Sequence, residues 1–156
     1  MAWHHRFAGS LVRNYRKARG FRTLGVRGLV LDRDDRIALV LHTYLDDWYL
    51  PGGGVIRGES YDQALARELR EEIGLKDFRI ERVLGVYHDR VTLKDDHVVV
   101  FVVRTPSSAP AIKSADPFEI QDARWFSLDT LPADISPATA RRITEYRTGV
   151  TGTGAW

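Results

Sequence analysis

Between Gly53 and Leu75 the chain carries Gly53, Glu59, Arg67, Glu68, Leu69, Glu71, Glu72, Gly74 and Leu75 at fixed intervals, and this stretch constrains the fold more than any other. A glycine turn leads into one helix whose two ends are both marked. Ser60 followed by Gln63 is a capping-box pattern, and Gly74 stands where a left-handed cap would close the last turn, so the spacing predicts a helix over Ser60 to Ile73. At about 100° per residue from Tyr61, Leu65, Leu69 and Ile73 fall at about 40°, 80° and 120°, a single apolar stripe that must meet a core. Glu71, Glu68 and Glu72 fall at about 280°, 340° and 20°, so Glu72 borders that stripe and Glu71 is the most peripheral.

A solvated acidic face would explain an isolated glutamate pair. Here Glu68 repels Glu71 at i,i+3 and Glu72 at i,i+4 by roughly 0.2–0.5 kcal/mol each, and all three lie in the C-terminal half, where the helix dipole disfavours anions. A helix shaped only for stability would carry lysines there. A hard divalent cation such as Mg²⁺ or Mn²⁺ takes oxygen ligands and turns the repulsion into coordination, so the acidic sector is expected to bind one.

The spacing of these nine residues resembles the Nudix box of the Nudix (MutT-like) hydrolase family, with every fixed position filled from Gly53 through Arg67-Glu68-Leu69-Arg70-Glu71-Glu72-Ile73-Gly74-Leu75. Trp48-Tyr49-Leu50-Pro51-Gly52-Gly53-Gly54 resembles the strand end and turn that enter the box. The looser likeness runs from about Thr23 to Ile143. Ile56 departs from many relatives, which carry an acid there, but it lies outside the fixed pattern. The resemblance implies an α/β fold, a Nudix-type α/β/α sandwich around a mixed β-sheet. It also implies a hydrolase that uses water and divalent cations to cleave the pyrophosphate bond of a nucleoside diphosphate linked to another moiety, such as a nucleoside triphosphate or modified nucleotide.

By that resemblance Glu68, Glu71 and Glu72 are the principal metal ligands, with a carbonyl such as that of Gly53 as a further donor. Glu59 is a fourth acid, either a ligand through water or a partner of Arg67, and Arg67 orients a carboxylate. Gly52, Gly53 and Gly54 permit close backbone approach to a substrate. Some family members recruit a glutamate outside the box as general base; Glu119 sits in a comparable place, with Asp95, Asp96, His97 and Asp122 as rivals. Trp48, Tyr49, Tyr87, Phe118 and Trp125 are candidates to stack a nucleobase. No serine elbow or cysteine is present for a covalent intermediate.

The rest of the chain is consistent with one domain of 156 residues. The absence of cysteine excludes disulfides and thiolate metal sites and makes the cytoplasm the expected compartment. Apolar runs such as Val98 to Val103 are strand-sized, so no membrane span is expected. The net charge of +2 hides an asymmetry: residues 1 to 31 carry seven Arg or Lys and no acid, leaving 16 basic against 21 acidic residues beyond them. Residues 1–21 are therefore expected to form a basic helical arm, with a helix over Ser10 to Arg19, that docks by Leu11, Val12, Tyr15 and Ala18. Nucleic-acid contact through this arm is the alternative, either in a non-catalytic regulatory module or in an RNA 5′-end pyrophosphohydrolase.

Strands are predicted over Arg22 to Leu31 and Ile37 to Thr43, joined by the Asp32-Arg33-Asp34-Asp35-Arg36 turn. Further strands are predicted over Ile80 to His88, Val98 to Arg104 and Ala123 to Leu128. Thr105 to Pro117, with three prolines, reads as a loop that is mobile or faces substrate. Ser136-Pro137 opens a second helix. The hydrolase domain is expected over residues 22–147, with residues 148–156 a flexible, frayed tail.

Overall fold

The computed structural model describes residues 22–89 and 95–156. The arm at residues 1–21 with its expected helix, and residues 92–94 of the expected turn after Asp89, lie outside the described residues. Chain order is β1 (Thr23–Leu31), β2 (Arg36–His42), β3 (Trp48–Tyr49), α1 (Tyr61–Ile73), β4 (Arg79–Asp89), β5 (Asp96–Arg104), β6 (Ile120–Ser127), α2 (Pro137–Thr148) and β7 (Gly152–Ala155). The strands form one mixed sheet in the order β3-β2-β1-β5-β4-β7, with β6 also paired to β2. β1 runs parallel to β5 and β4 parallel to β7; the other pairings are antiparallel.

β1 and β5 are apolar on both sides because both faces of the sheet are covered. Val26, Val30, Val99, Phe101 and Val103 cluster with Leu65, Leu69 and Ile73 of α1. The alternate residues Leu29, Leu31, Val98, Val100 and Val102 cluster with Ile143 of α2. The period-two alternation thus divides each central strand between two helical layers, giving an α/β/α sandwich around a mixed sheet. Among the described residues no helix is long and apolar enough to cross a membrane.

Both ends of α1 form as the sequence predicts. The Ser60 side chain accepts from the Gln63 backbone N–H, and the Gln63 side chain accepts from the Ser60 N–H; Gly74 closes the helix at φ 69°. The 105–117 loop completes the C-terminal end. Lys113 N–H donates to the Ile73 carbonyl at 3.0 Å and Ala115 N–H to the Glu71 carbonyl at 2.9 Å, meeting acceptors that a helix end leaves open.

The C-terminal tail differs from expectation. Gly152–Ala155 pairs in parallel with Gly85 to His88 of β4, and Trp156 N–H donates to the His88 carbonyl at 3.0 Å. The glycines read as a sign of fraying do not prevent pairing: Gly152 takes φ 131°, and a Cβ at Gly85 on the facing strand would stand 2.6 Å from the Gly152 carbonyl. Arg142 fastens this edge. Its guanidinium lies 3.7 Å from the Tyr87 ring centroid, donates to Ala155 O at 2.9 Å and pairs with Glu145 at 2.8 Å. The sequence signal missed was the terminal Trp156, an anchor whose ring lies 6.1 Å from that of Tyr87. Trp156→Ala is expected to cost about 1–2 kcal/mol of burial and to lower the melting temperature by roughly 3–6 °C. An unchanged melt in differential scanning calorimetry would show that the tail adds nothing to the domain.

Candidate active site

The geometry starts from the turn that precedes α1. Gly52 has φ 141°, and a side chain there would collide with the Val26 carbonyl. Gly53 is pinned differently. Its carbonyl accepts from Val26 N–H at 2.9 Å, and a Cβ on it would stand 2.6 Å from Glu68 Oε1, so the missing side chain is space the carboxylate occupies.

On α1 the three glutamates take the graded positions that their azimuths predict. Glu72 is buried, the Glu68 side chain is 13% exposed and that of Glu71 is 49% exposed. Glu72 Oε2 accepts the Gly52 N–H at 2.7 Å. Burial pushes the Glu72 carboxyl up to about 8, reinforced by the nearby Glu68 and Glu119 and opposed by Arg27 and the Gly52 N–H. Glu68 is also raised by burial, against the pull of Arg67.

Two guanidinium groups hold the array. Arg67 grips Glu59 through Nε at 2.7 Å and Nη2 at 3.0 Å, reaches Glu68 at 2.6 Å and Glu71 at 3.4 Å, and donates to Gly54 O at 2.9 Å. The hydrogen bonds from Arg67 lower the Glu59 carboxyl, and Glu59 in turn raises Arg67. Glu59 is thus the partner of Arg67. Arg27, counted among the basic residues of the N-terminal stretch and inside the strand predicted over Arg22 to Leu31, lies on β1. It donates to Leu50 O at 3.2 Å and to Gly52 O at 2.5 Å. The signal that could have found it is a lone cation within an otherwise apolar strand.

Glu68, Glu71 and Glu72 face a pocket of about 190 Å³ that Ala115, Asp116, Glu119 and Ile120 close from the other side. Of the candidate bases, Glu119 alone among the described residues lines this pocket. Asp95, Asp96 and His97 lie at the start of β5, and Asp122 pairs with Arg124 at 2.5 Å. His42 was missed by the sequence reading. A ring nitrogen of His42 and carboxylate oxygens of Glu72 and Glu119 lie within 4.8 Å of one another. A larger hollow of about 680 Å³ is lined by Arg33, Asp35, Arg79, Glu81 and Arg104. There Arg79 pairs with Glu81 at 2.9 Å and Arg104 with Asp35 at 2.5 Å, so charges of both signs share its walls.

The donor set fits a hard divalent cation. Carboxylates crowd one pocket, one is buried deeply enough to be raised, and the nearest fixed cations are committed to Glu59, Glu68 and the turn carbonyls. The Gly53 carbonyl keeps one lone pair beyond its bond to Val26.

The stacking candidates separate by burial. Trp48 is a correction: it lies in the core on the α2 side, edge-on to Phe126 at 4.9 Å, with no open face for a base. Tyr87 is likewise buried, and Trp125 is half-buried with its indole N–H on Pro110 O at 2.9 Å. Phe118, beside Glu119, is 77% exposed.

Residues 21–150 match the model of the NUDIX domain. A putative 8-oxo-dGTP diphosphatase of Bacillus subtilis (strain 168) is 32% identical over 127 residues, covering 81% of this chain and 81% of that protein. An ADP-ribose pyrophosphatase of Methanocaldococcus jannaschii is 29% identical over 106 residues, 66% of this chain and 61% of that protein. Among solved structures, a UDP-X diphosphatase superposes with a TM-score of 0.67 at 25% identity, covering 95% of this chain and 75% of that one. With the glycine turn, the carboxylate helix and the two-sided sheet all in place, the chain belongs to the NUDIX domain family and is a Nudix hydrolase.

Proposed function

We propose that the protein hydrolyses the pyrophosphate bond of a small nucleotide, a nucleoside diphosphate joined to a further phosphate or other group, with Mg²⁺ or Mn²⁺. The observation that carries this reading is the convergence of Glu68, Glu71, Glu72 and Glu119 on one pocket beside a glycine turn. The relatives support the substrate class, since 8-oxo-dGTP, ADP-ribose and a UDP derivative share a nucleoside diphosphate. The intact carboxylate set speaks against a non-catalytic module.

Glu68, Glu71 and Glu72 would hold the cation, with the Gly53 carbonyl as a further donor. When bound, the cation neutralises phosphate charge and lowers the pKa of water. Arg67 keeps Glu68 and Glu71 turned toward the pocket by fixing them against Glu59 and Gly54. Arg27 locks the Leu50 and Gly52 carbonyls, so the Gly52 N–H stays aimed at Glu72. Glu119, across the pocket, accepts the proton of the attacking water as a P–O bond forms and the bridging P–O bond breaks. Phe118 next to it offers an exposed ring to the base.

A panel of nucleoside diphosphate compounds with Mg²⁺ or Mn²⁺, resolved by chromatography of both products, tests the activity. Glu72→Gln is expected to lower turnover by about 100-fold or more, and Glu119→Gln by about 100-fold with little change in KM. Full activity in Glu72→Gln would remove the assignment; a silent Glu119→Gln would move the base elsewhere.

Without metal, Glu72 makes stability depend on pH. Its folded value of about 8 lies above the ordinary 4.5, so its contribution is fully present below about pH 4.5 and is lost as pH rises through about 8. In chelator, urea unfolding of the wild type is expected to weaken by on the order of 3–5 kcal/mol across that window. Glu72→Gln should flatten the fall. An equally steep fall in that variant would show that Glu72 is ionised at little cost.

A further inference from the structure

A second group of donors lies outside the carboxylate pocket. His88 of β4 and His97 of β5 are direct cross-strand partners, one pair in from the Asp89–Asp96 pair that ends the described ladder. Side chains of such a pair leave the sheet on the same face, about 4.5–5.5 Å apart at Cβ. Here the two imidazoles stack with centroids 4.7 Å apart and planes 19° apart. Asp95 closes the group. Its Oδ1 lies 2.7 Å from His88 Nε2 and 3.4 Å from His97 Nε2, and the three donor atoms all fall within 4.8 Å of one another.

We propose that His88, Asp95 and His97 form a binding site for a first-row transition-metal ion of the zinc class, separate from the carboxylate site. Three donors at about 2.0–2.2 Å from one tetrahedral ion stand about 3.4 Å from each other, close to the spacing already present. An ion there would replace the direct contact of His88 Nε2 with Asp95 Oδ1 at 2.7 Å. Arg22 Nε, 2.8 Å from Asp95 Oδ2, holds the carboxylate so that Oδ1 faces the histidines, the role an outer partner plays for a metal ligand.

Donor chemistry separates the two sites. Two imidazoles and one carboxylate suit zinc, cobalt or nickel, whereas a pocket of carboxylates suits Mg²⁺ or Mn²⁺. The three side chains are 35%, 39% and 36% exposed, so a fourth coordination position opens to solvent. Position separates them too. Gly25 bridges to Gly54 on one side and pairs with Val98 on the other, which puts the start of β5 about 10 Å, two strand spacings, from the glycine turn. A bound ion would tie β4 to β5 beside the catalytic end of the sheet.

Isothermal titration of the metal-stripped full chain with ZnCl₂ alone tests this, in a His4→Ala/His5→Ala background that removes the adjacent N-terminal histidines. About one Zn²⁺ per chain should bind, persist in 5 mM-scale Mg²⁺ excess (roughly the level that fills a weak oxygen site), and survive Glu68→Gln/Glu72→Gln. Adding His88→Ala/His97→Ala should weaken it by at least about 100-fold, more than loss of an outer-shell partner would. Zinc binding that is unchanged in the histidine variant, or lost only in the carboxylate variant, overturns the proposal. Should the histidine variant melt differently, imidazole NMR of the His4→Ala/His5→Ala chain decides: zinc must move the His88 and His97 signals, and movement of His42 alone overturns the site.

Discussion

Glu72 sits beneath the glycine turn with its carboxylate on the Gly52 N–H, and the arrangement of the catalytic end of the sheet depends on that contact. The bond joins the turn after β3 to the C-terminal half of α1. It also forces a carboxyl group into a place where burial disfavours its charge. The surrounding structure is organised to bear this cost. Arg27 reaches from β1 to the turn carbonyls, Arg67 takes the neighbouring charges of Glu59 and Glu68, and the glycines leave room for the carboxylates. A helix without this surrounding would relax by turning its acids to water. Here the apolar stripe of Leu65, Leu69 and Ile73 fixes the helix rotation, so the acids have nowhere else to go.

That coupling explains why so much of the site was legible in the sequence. The apolar stripe and the acids share one helix, so a 3.6-residue period sets their relative azimuths before any tertiary contact forms. The grading from Glu72 to Glu71 followed from that period, and both caps of α1 from Ser60, Gln63 and Gly74. The apolar run Val98 to Val103 was legible as a strand, and the structure buries it on both faces. What the sequence hid was long-range. Nothing local tells that Arg27 crosses to the turn or that His42 ends β2 beside Glu72, because these meetings depend on strand register. Trp48 misled because an aromatic before a glycine turn can stack a base or fill a core, and only the second helical layer decides which. The tail misled for a related reason: glycine favours disorder by itself, yet Gly152–Ala155 pairs along β4, where Gly85 leaves room for the Gly152 carbonyl.

The loop at residues 105–117 shapes the site from outside α1. Its Lys113 and Ala115 amides close the last turn of α1, and its far end delivers Asp116 and Glu119 to the pocket wall opposite Glu72. Both tasks are performed near one point of the chain.

Those amide contacts are made by backbone, which every residue except proline can provide. Lys113 and Ala115 can therefore change their side chains while the loop keeps its grip on the helix. The carboxylate array would keep its geometry through such changes as long as the two amides still reach Ile73 and Glu71. A proline at 113 or 115 would instead release the helix end. The end of the carboxylate helix is thus held by two main-chain amides, a grip that does not depend on which side chains the loop carries at those two positions.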